Sequence, residues 1–443
     1  MQVPKLKGLM RQINGDPSMA AELARQTANE IRPDGGKWKS FISVTDDPHP
    51  SESLALDSLL GCLFSVKDNI DVAGAITTCG SNLFAHSPPV VKDAWIVEAL
   101  KAAGAVCLGK NNMHELALGA TGMNPRFGTT RNPWDFDRGV GGSSGGSALA
   151  VALRQVHIAF GTDSGGSVRI PAAWCGVTGF KPTPGSLSLQ GVAGACLTLD
   201  CLGIFSTEVG DLITIWDSLD LPKDSGTDNH SIRLGYLQDE SMGPVDPRVW
   251  ERYQESVDSL KRANFDLTGV SIEGFETAPH VALSVAYPEI ASTHMELMRS
   301  SAKLYDPEIL ALLYLGELWS GRNYLDAQRA RSLLRHRFWK IISPFDVVLT
   351  PTVAAQPPLI GQPAKVEGDS KGTELSTLMR FTVPFNVIGY PAISVPAGLD
   401  RDGLPVGLQL IGRPSSDRSL LKIARQVEDV LGIMPSPYDG CTT

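Results

Sequence analysis

Between Gly141 and Pro171 two glycine- and serine-rich runs, Gly141-Gly-Ser-Ser-Gly-Gly-Ser147 and Gly161-Thr-Asp-Ser-Gly-Gly-Ser167, bracket an apolar stretch. A flexible linker would not alternate with a run such as Ala148-Leu-Ala-Val-Ala-Leu153. The two turns are therefore expected to lie close in space, each presenting hydroxyls. Glycine lets backbone N–H groups approach an anion closely, and successive N–H groups at a helix start form an anion-binding nest. This stretch reads as a site.

The surrounding chain has 443 residues, enough for one very large core or two to three ordinary ones. Its formal charge of −9 and its lack of a basic stripe interleaved with aromatics exclude general nucleic-acid binding. No run of about 18 apolar residues crosses a bilayer, and Met1-Gln-Val-Pro-Lys-Leu-Lys7 lacks the apolar core of a signal peptide. The seven cysteines form no Cys-x-x-Cys pair, so they read as buried thiols of a reducing cytoplasm.

Along the chain, residues 1–60 read as a peripheral helical region with a helix beginning near Pro17, and 61–443 as one α/β domain. Leu63–Val66 reads as a strand, Asp93 as the cap of a helix to about Ala103, Ala105–Leu108 as the next strand, and Asn112–Leu118 as a short helix. That rhythm implies crossovers and a large mixed, mostly parallel sheet covered by helices on both faces. A polar stretch from Leu221 to His230 marks a candidate subdomain edge. Three long helical stretches between about 280 and 342 read as a substrate-side cap, and late strands at Pro391–Val395 and Pro405–Ile411 flank a turn at Asp402-Gly403.

Several chemistries can be weighed at the glycine-rich turns. Gly141-Gly-Ser-Ser-Gly145 fits the Gly-x-Ser-x-Gly elbow with Ser143 as nucleophile. An elbow needs a preceding strand and a late histidine, yet Trp134–Val140 is polar and no histidine follows His336. Neither turn continues into Lys-Ser or Lys-Thr, so a phosphate-binding P-loop is absent. His114-Glu115 lacks the second histidine of a metalloprotease helix, which leaves His114 structural. Without a usable histidine, a serine nucleophile can use a neutral, desolvated lysine as base. Lys67 ends the apolar run Leu63-Phe-Ser-Val66 and suits that role.

Taken together, Lys67-Asp-Asn69, Gly141-Gly-Ser143-Ser-Gly-Gly146 and Asp163-Ser-Gly-Gly-Ser167-Val-Arg-Ile-Pro-Ala172 closely resemble the amidase signature family. The resemblance is strong from about Leu63 to Phe205 and returns at Leu349-Thr-Pro-Thr352 and Phe385-Asn-Val-Ile-Gly-Tyr-Pro391. It implies Ser167 as nucleophile and a cis-linked Ser143 relaying protons between Ser167 and Lys67. It also implies an oxyanion hole from the N–H groups of Ser164, Gly165, Gly166 and Ser167. Ser144, Thr162, Asp163 and Arg169 would support these groups, and Ala117, Gly119, Thr121 and Gly122 would line the substrate pocket. No cofactor is implied, and the partners implied are a small amide substrate and at most a second copy of the chain.

Where amidotransferase members of the family tend to carry Gln after Asp, this chain has Cys201 after Asp200. Gly191-Val-Ala-Gly-Ala-Cys-Leu-Thr-Leu-Asp-Cys201 is similar to allophanate-hydrolase-type members, which leaves carbamate or urea-type bonds open beside amides. Alternatives are an esterase built on Ser143 and an amidotransferase-type subunit.

Overall fold

A computed structural model describes residues 3–13, 16–51, 58–221, 232–366, 369, 373–435 and 437. Most of the Leu221–His230 stretch and Cys441 lie outside these residues. Among the described residues eleven strands form one sheet: β1 (Phe41–Val44), β2 (Leu63–Lys67), β3 (Val106–Asn111), β4 (Ile158–Thr162), β5 (Thr178–Lys181), β6 (Leu202–Ser206), β7 (Arg233–Leu237), β8 (Asp266–Val270), β9 (Val347–Pro351), β10 (Ala392–Leu399) and β11 (Pro405–Gly412). Their spatial order is β1-β3-β2-β4-β6-β5-β10-β11-β9-β7-β8.

The sheet is mixed, as the sequence implies, but only four of its ten pairings are parallel. Parallel pairs sit on the two flanks, where helices Trp95–Ala102 and Pro247–Arg262 carry β2 to β3 and β7 to β8. At the centre the connections lack that crossover. The loop from β5 returns as β6, and β10 turns directly into β11 through Gly403, whose φ is 78°. The strand-helix-strand rhythm thus holds locally and fails in the middle.

Strands β2, β3, β4, β5, β6, β9 and β11 are buried at every position, as expected of strands covered on both faces. One apolar cluster extends from Leu6 to Val427 and includes Phe64, Phe160, Ile204, Leu349, Ile393 and Leu410 from the sheet. Strand β1 pairs antiparallel with β3, so the first sixty residues contribute a sheet edge as well as helices. Among the described residues no helix is long and apolar enough to cross a membrane.

Local differences have local causes. Helix Trp95–Ala102 is capped by Ala94, because the Asp93 carboxylate instead accepts from Ala73 N at 2.7 Å and pairs with Lys101 at 2.7 Å. The expected helix at 112–118 shrinks to one tight turn, Glu115–Ala117, since Leu116 and Ala117 take left-handed φ values of 51° and 61°. The three long helices expected between about 280 and 342 are Ala278–Ser301, Pro307–Glu317 and Gly321–Ile342.

Candidate active site

Two strand ends and two loops build the site. Lys67 closes β2, Thr162 closes β4, and parallel pairing of these strands brings both ends to one edge of the sheet. Lys67 Nζ donates to Ser143 Oγ at 2.7 Å and to Thr162 Oγ1 at 2.8 Å. Its side chain is fully buried. Burial lowers the Lys67 ammonium to about 7, against opposing pulls from Asp200 and Asp163. Near neutral pH a large share of it is therefore an uncharged amine.

Ser143 is held from the other side. Its carbonyl accepts from His114 N at 3.1 Å, and the Gly142–Ser143 peptide bond is cis. Ser144 ties the two glycine-rich turns together: its N–H donates to Ser167 O at 3.2 Å and its Oγ to Thr162 O at 3.2 Å. Gly161 leaves room for this, because a Cβ there would sit 2.6 Å from Ser144 Oγ.

The second turn is folded around Asp163. Its carboxylate accepts from Gly166 N at 2.7 Å, from Arg169 Nε at 3.0 Å and Nη2 at 2.9 Å, and from Asn386 Nδ2 at 2.9 Å. Burial alone would raise this carboxyl, but Arg169, Lys181 and Asn386 outweigh it and hold Asp163 well below the usual carboxylate range. Arg169 is saturated in turn, donating to Thr382 O at 3.0 Å, Gln409 Oε1 at 2.8 Å and Asn386 Oδ1 at 2.6 Å. A buried pair this fully bonded fixes a loop rather than binding a ligand.

Ser167 faces a cavity of about 100 Å³, with Ser164, Gly165, Ala117 and Gly119 also in its wall. Its Oγ makes no hydrogen bond among the described residues, so Ser167 and Ser143 are not directly joined. The N–H groups of Ser164, Gly165 and Ser167 are likewise without partners among the described residues. Gly166 departs from the expected oxyanion set, because its N–H is taken by Asp163. Two expected pocket residues also fall elsewhere. Gly122 packs against the Gly141–Gly142 backbone, where a Cβ would meet Gly141 O at 2.5 Å, and Thr121 turns its Oγ1 to Met123 N.

Other residues enter that the motif alone did not nominate. Ser164 Oγ donates to Asp200 Oδ1, and Cys196 N donates to Asp200 Oδ2 at 2.9 Å. Burial pushes the Asp200 carboxyl up. Asn386, Gln409 and Thr382 complete the Asp163–Arg169 network, Thr382 Oγ1 donating to Gly165 O at 2.7 Å. Their signal was present: a lone Asn in Phe385–Ile388 and a lone Gln in the apolar Pro405–Ile411 run are buried polar groups that require partners.

The family profile described as Amidase matches residues 49–421. The chain belongs to the amidase signature family. Its relatives include the A subunit of glutamyl-tRNA(Gln) amidotransferase from Synechococcus sp. (strain RCC307), 32% identical over 94% of this chain and 95% of that protein. A fatty acid amide hydrolase of Medicago truncatula is 32% identical over 85% of this chain, which spans 66% of that longer protein. Among solved structures, a chain of a vestigial protein complex said to reveal the origins of an s-triazine catabolic enzyme superposes with a TM-score of 0.88. It is 28% identical and covers 98% of this chain and 100% of its own. This amidase signature protein is an enzyme, a hydrolase of amide C–N bonds.

Proposed function

We propose that this amidase hydrolyses a small-molecule amide through an acyl-enzyme on Ser167, with Lys67 and Ser143 moving the proton. The observation that carries the reading is the 2.7 Å contact between a buried, readily neutral Lys67 and Ser143, beside a free Ser167 hydroxyl on a cavity wall. Ser167 Oγ attacks the carbonyl carbon as its proton passes to Ser143 Oγ and the Ser143 proton passes to Lys67 Nζ. Charge on the carbonyl oxygen is met by the N–H groups of Ser164, Gly165 and Ser167. When the intermediate collapses, the C–N bond breaks and the relay runs backwards, protonating the departing nitrogen. Water then repeats the attack on the acyl-enzyme and releases the acid.

An esterase centred on Ser143 is disfavoured because Ser143 is fully buried and spent on Lys67, while Ser167 opens on the cavity. Likeness to the amidotransferase protein supports a second reading, a component of a larger complex. Cys201 in place of Gln weighs against it. Labelling with a fluorophosphonate, followed by mass-spectrometric mapping, tests the first reading. Modification of Ser167 supports it, modification of Ser143 favours the esterase, and no modification together with copurification of a stable complex favours the second reading.

A further inference from the structure

The cavity beside Ser167 carries a statement about substrate. Its wall is formed largely by side chains such as Leu118, Ile170, Leu199, Leu283, Ile290 and Met379, and no charged side chain lines it among the described residues. The few polar side chains on the wall are mostly committed. Ser164 is bonded to Asp200, and Cys196 Sγ donates to Glu289 Oε2 at 3.1 Å.

Charged side chains in the neighbouring networks are bonded as well. Arg169 is saturated by Asp163, Thr382, Asn386 and Gln409. Arg331 donates to Val387 O at 2.9 Å and Gln328 Oε1 at 2.8 Å. Lys67 holds Ser143 and Thr162. The carboxylates of Asp200 and Glu289 are bonded too. Glu289 accepts from Thr198 N at 3.0 Å and Tyr324 OH at 2.8 Å as well as from Cys196. On this wall a substrate anion would find no cation among the described residues. An ammonium would find carboxylates already saturated and an apolar wall to desolvate it.

Resting on the Ser167 reading, we propose that the substrate places an uncharged, apolar and short group in this cavity, next to the scissile amide. Amides that carry a carboxylate at that position are rejected. A cavity of about 150 Å³ takes benzene, so this one suits about four non-hydrogen atoms.

Two pairs of isosteres test this, each exchanging an isopropyl end for a carboxylate. In the acyl pair, 4-methylpentanamide is compared with succinamate. In the amine pair, the acetamide of 3-methylbutylamine is compared with that of β-alanine. Binding is measured by calorimetry to Ser167→Ala protein, where no acyl-enzyme forms, and turnover is measured with the native enzyme. The neutral member is expected to bind and react about 100-fold better or more in at least one pair. The pair that discriminates identifies which side of the bond fills the cavity. Binding within about threefold in both pairs overturns the proposal, as does an ammonium-ended isostere that binds as well as the neutral one. Leu283→Arg, on a partly exposed cap position, supplies the missing cation and is expected to reverse the preference; an unchanged preference in the folded variant also overturns it. Turnover retained by Ser167→Ala would instead refute the acyl-enzyme, while the binding comparison still reads the cavity.

Discussion

Lys67 Nζ lies 2.7 Å from Ser143 Oγ at a point with no solvent contact. An ammonium is costly there and an amine is not, so burial favours the neutral amine that the proposed base requires.

Replacing that base by a hydrocarbon separates chemistry from folding. Lys67→Met keeps volume and leaves no unpaired charge, so unfolding free energy should stay within about 1.5 kcal/mol of native. Amide turnover should fall about 10³-fold or more. Denaturant melts and steady-state kinetics on one preparation check both halves, and near-native turnover refutes the relay.

In the proposed relay the working form of Lys67 is the neutral one, which fixes the sign of the pH dependence. With its ammonium lowered to about 7, the neutral fraction falls tenfold per pH unit below that value and levels off above it. A profile of kcat/KM from pH 5.5 to 9 should rise and then flatten near neutrality. A flat profile, or a rise that begins only above pH 9, contradicts a buried lysine base.

Arg169 bonds four different residues, and removing it strands Asp163 in a dry interior. Arg169→Met should cost about 3–5 kcal/mol of stability, measured by denaturant unfolding. Arg169→Lys should recover little, since one ammonium cannot reproduce a planar fork with acceptors on several sides. Full rescue by lysine would show that charge alone, and not geometry, holds the nucleophile turn.

Away from the site, Glu428 accepts from Val209 N at the start of helix Val209–Ser218. Burial raises this carboxyl from 4.5 to about 7. Between those values the folded protein holds more protons than the unfolded chain, so this group makes stability fall as pH rises from about 4.5 through 7. Glu428→Gln should remove that slope. Unfolding free energies at pH 5 and pH 8 in both proteins provide the check, and an unchanged difference between them counts against the assignment.

The motifs that mark the family were legible in the sequence, while the order and direction of the strands were only partly so. Lys67, Ser143 and Ser167 were named through the family resemblance of three short motifs, and such motifs are local in the sequence. The hydrogen bond from Gly166 N to Asp163 was not foreseen, because it depends on how the turn closes. The direction of β5, β6 and β10 depends on which strand each meets, and a linear pattern of apolar residues does not encode that meeting. Thr121 and Gly122 illustrate the same limit, since their loop is shaped by the Gly141–Gly142 backbone it packs against.

The three residues of the proposed relay all lie within the first 167 positions, yet Arg169 finds its partners at Thr382, Asn386 and Gln409. A nascent chain therefore carries its reactive groups long before it carries the parts that set their geometry. Synthesis must pass Gln409 before Arg169 can meet the last of these partners. That last fastener lies in β11, the final described strand of the sheet to be made, so the Asp163–Arg169 network is complete only once the sheet is whole.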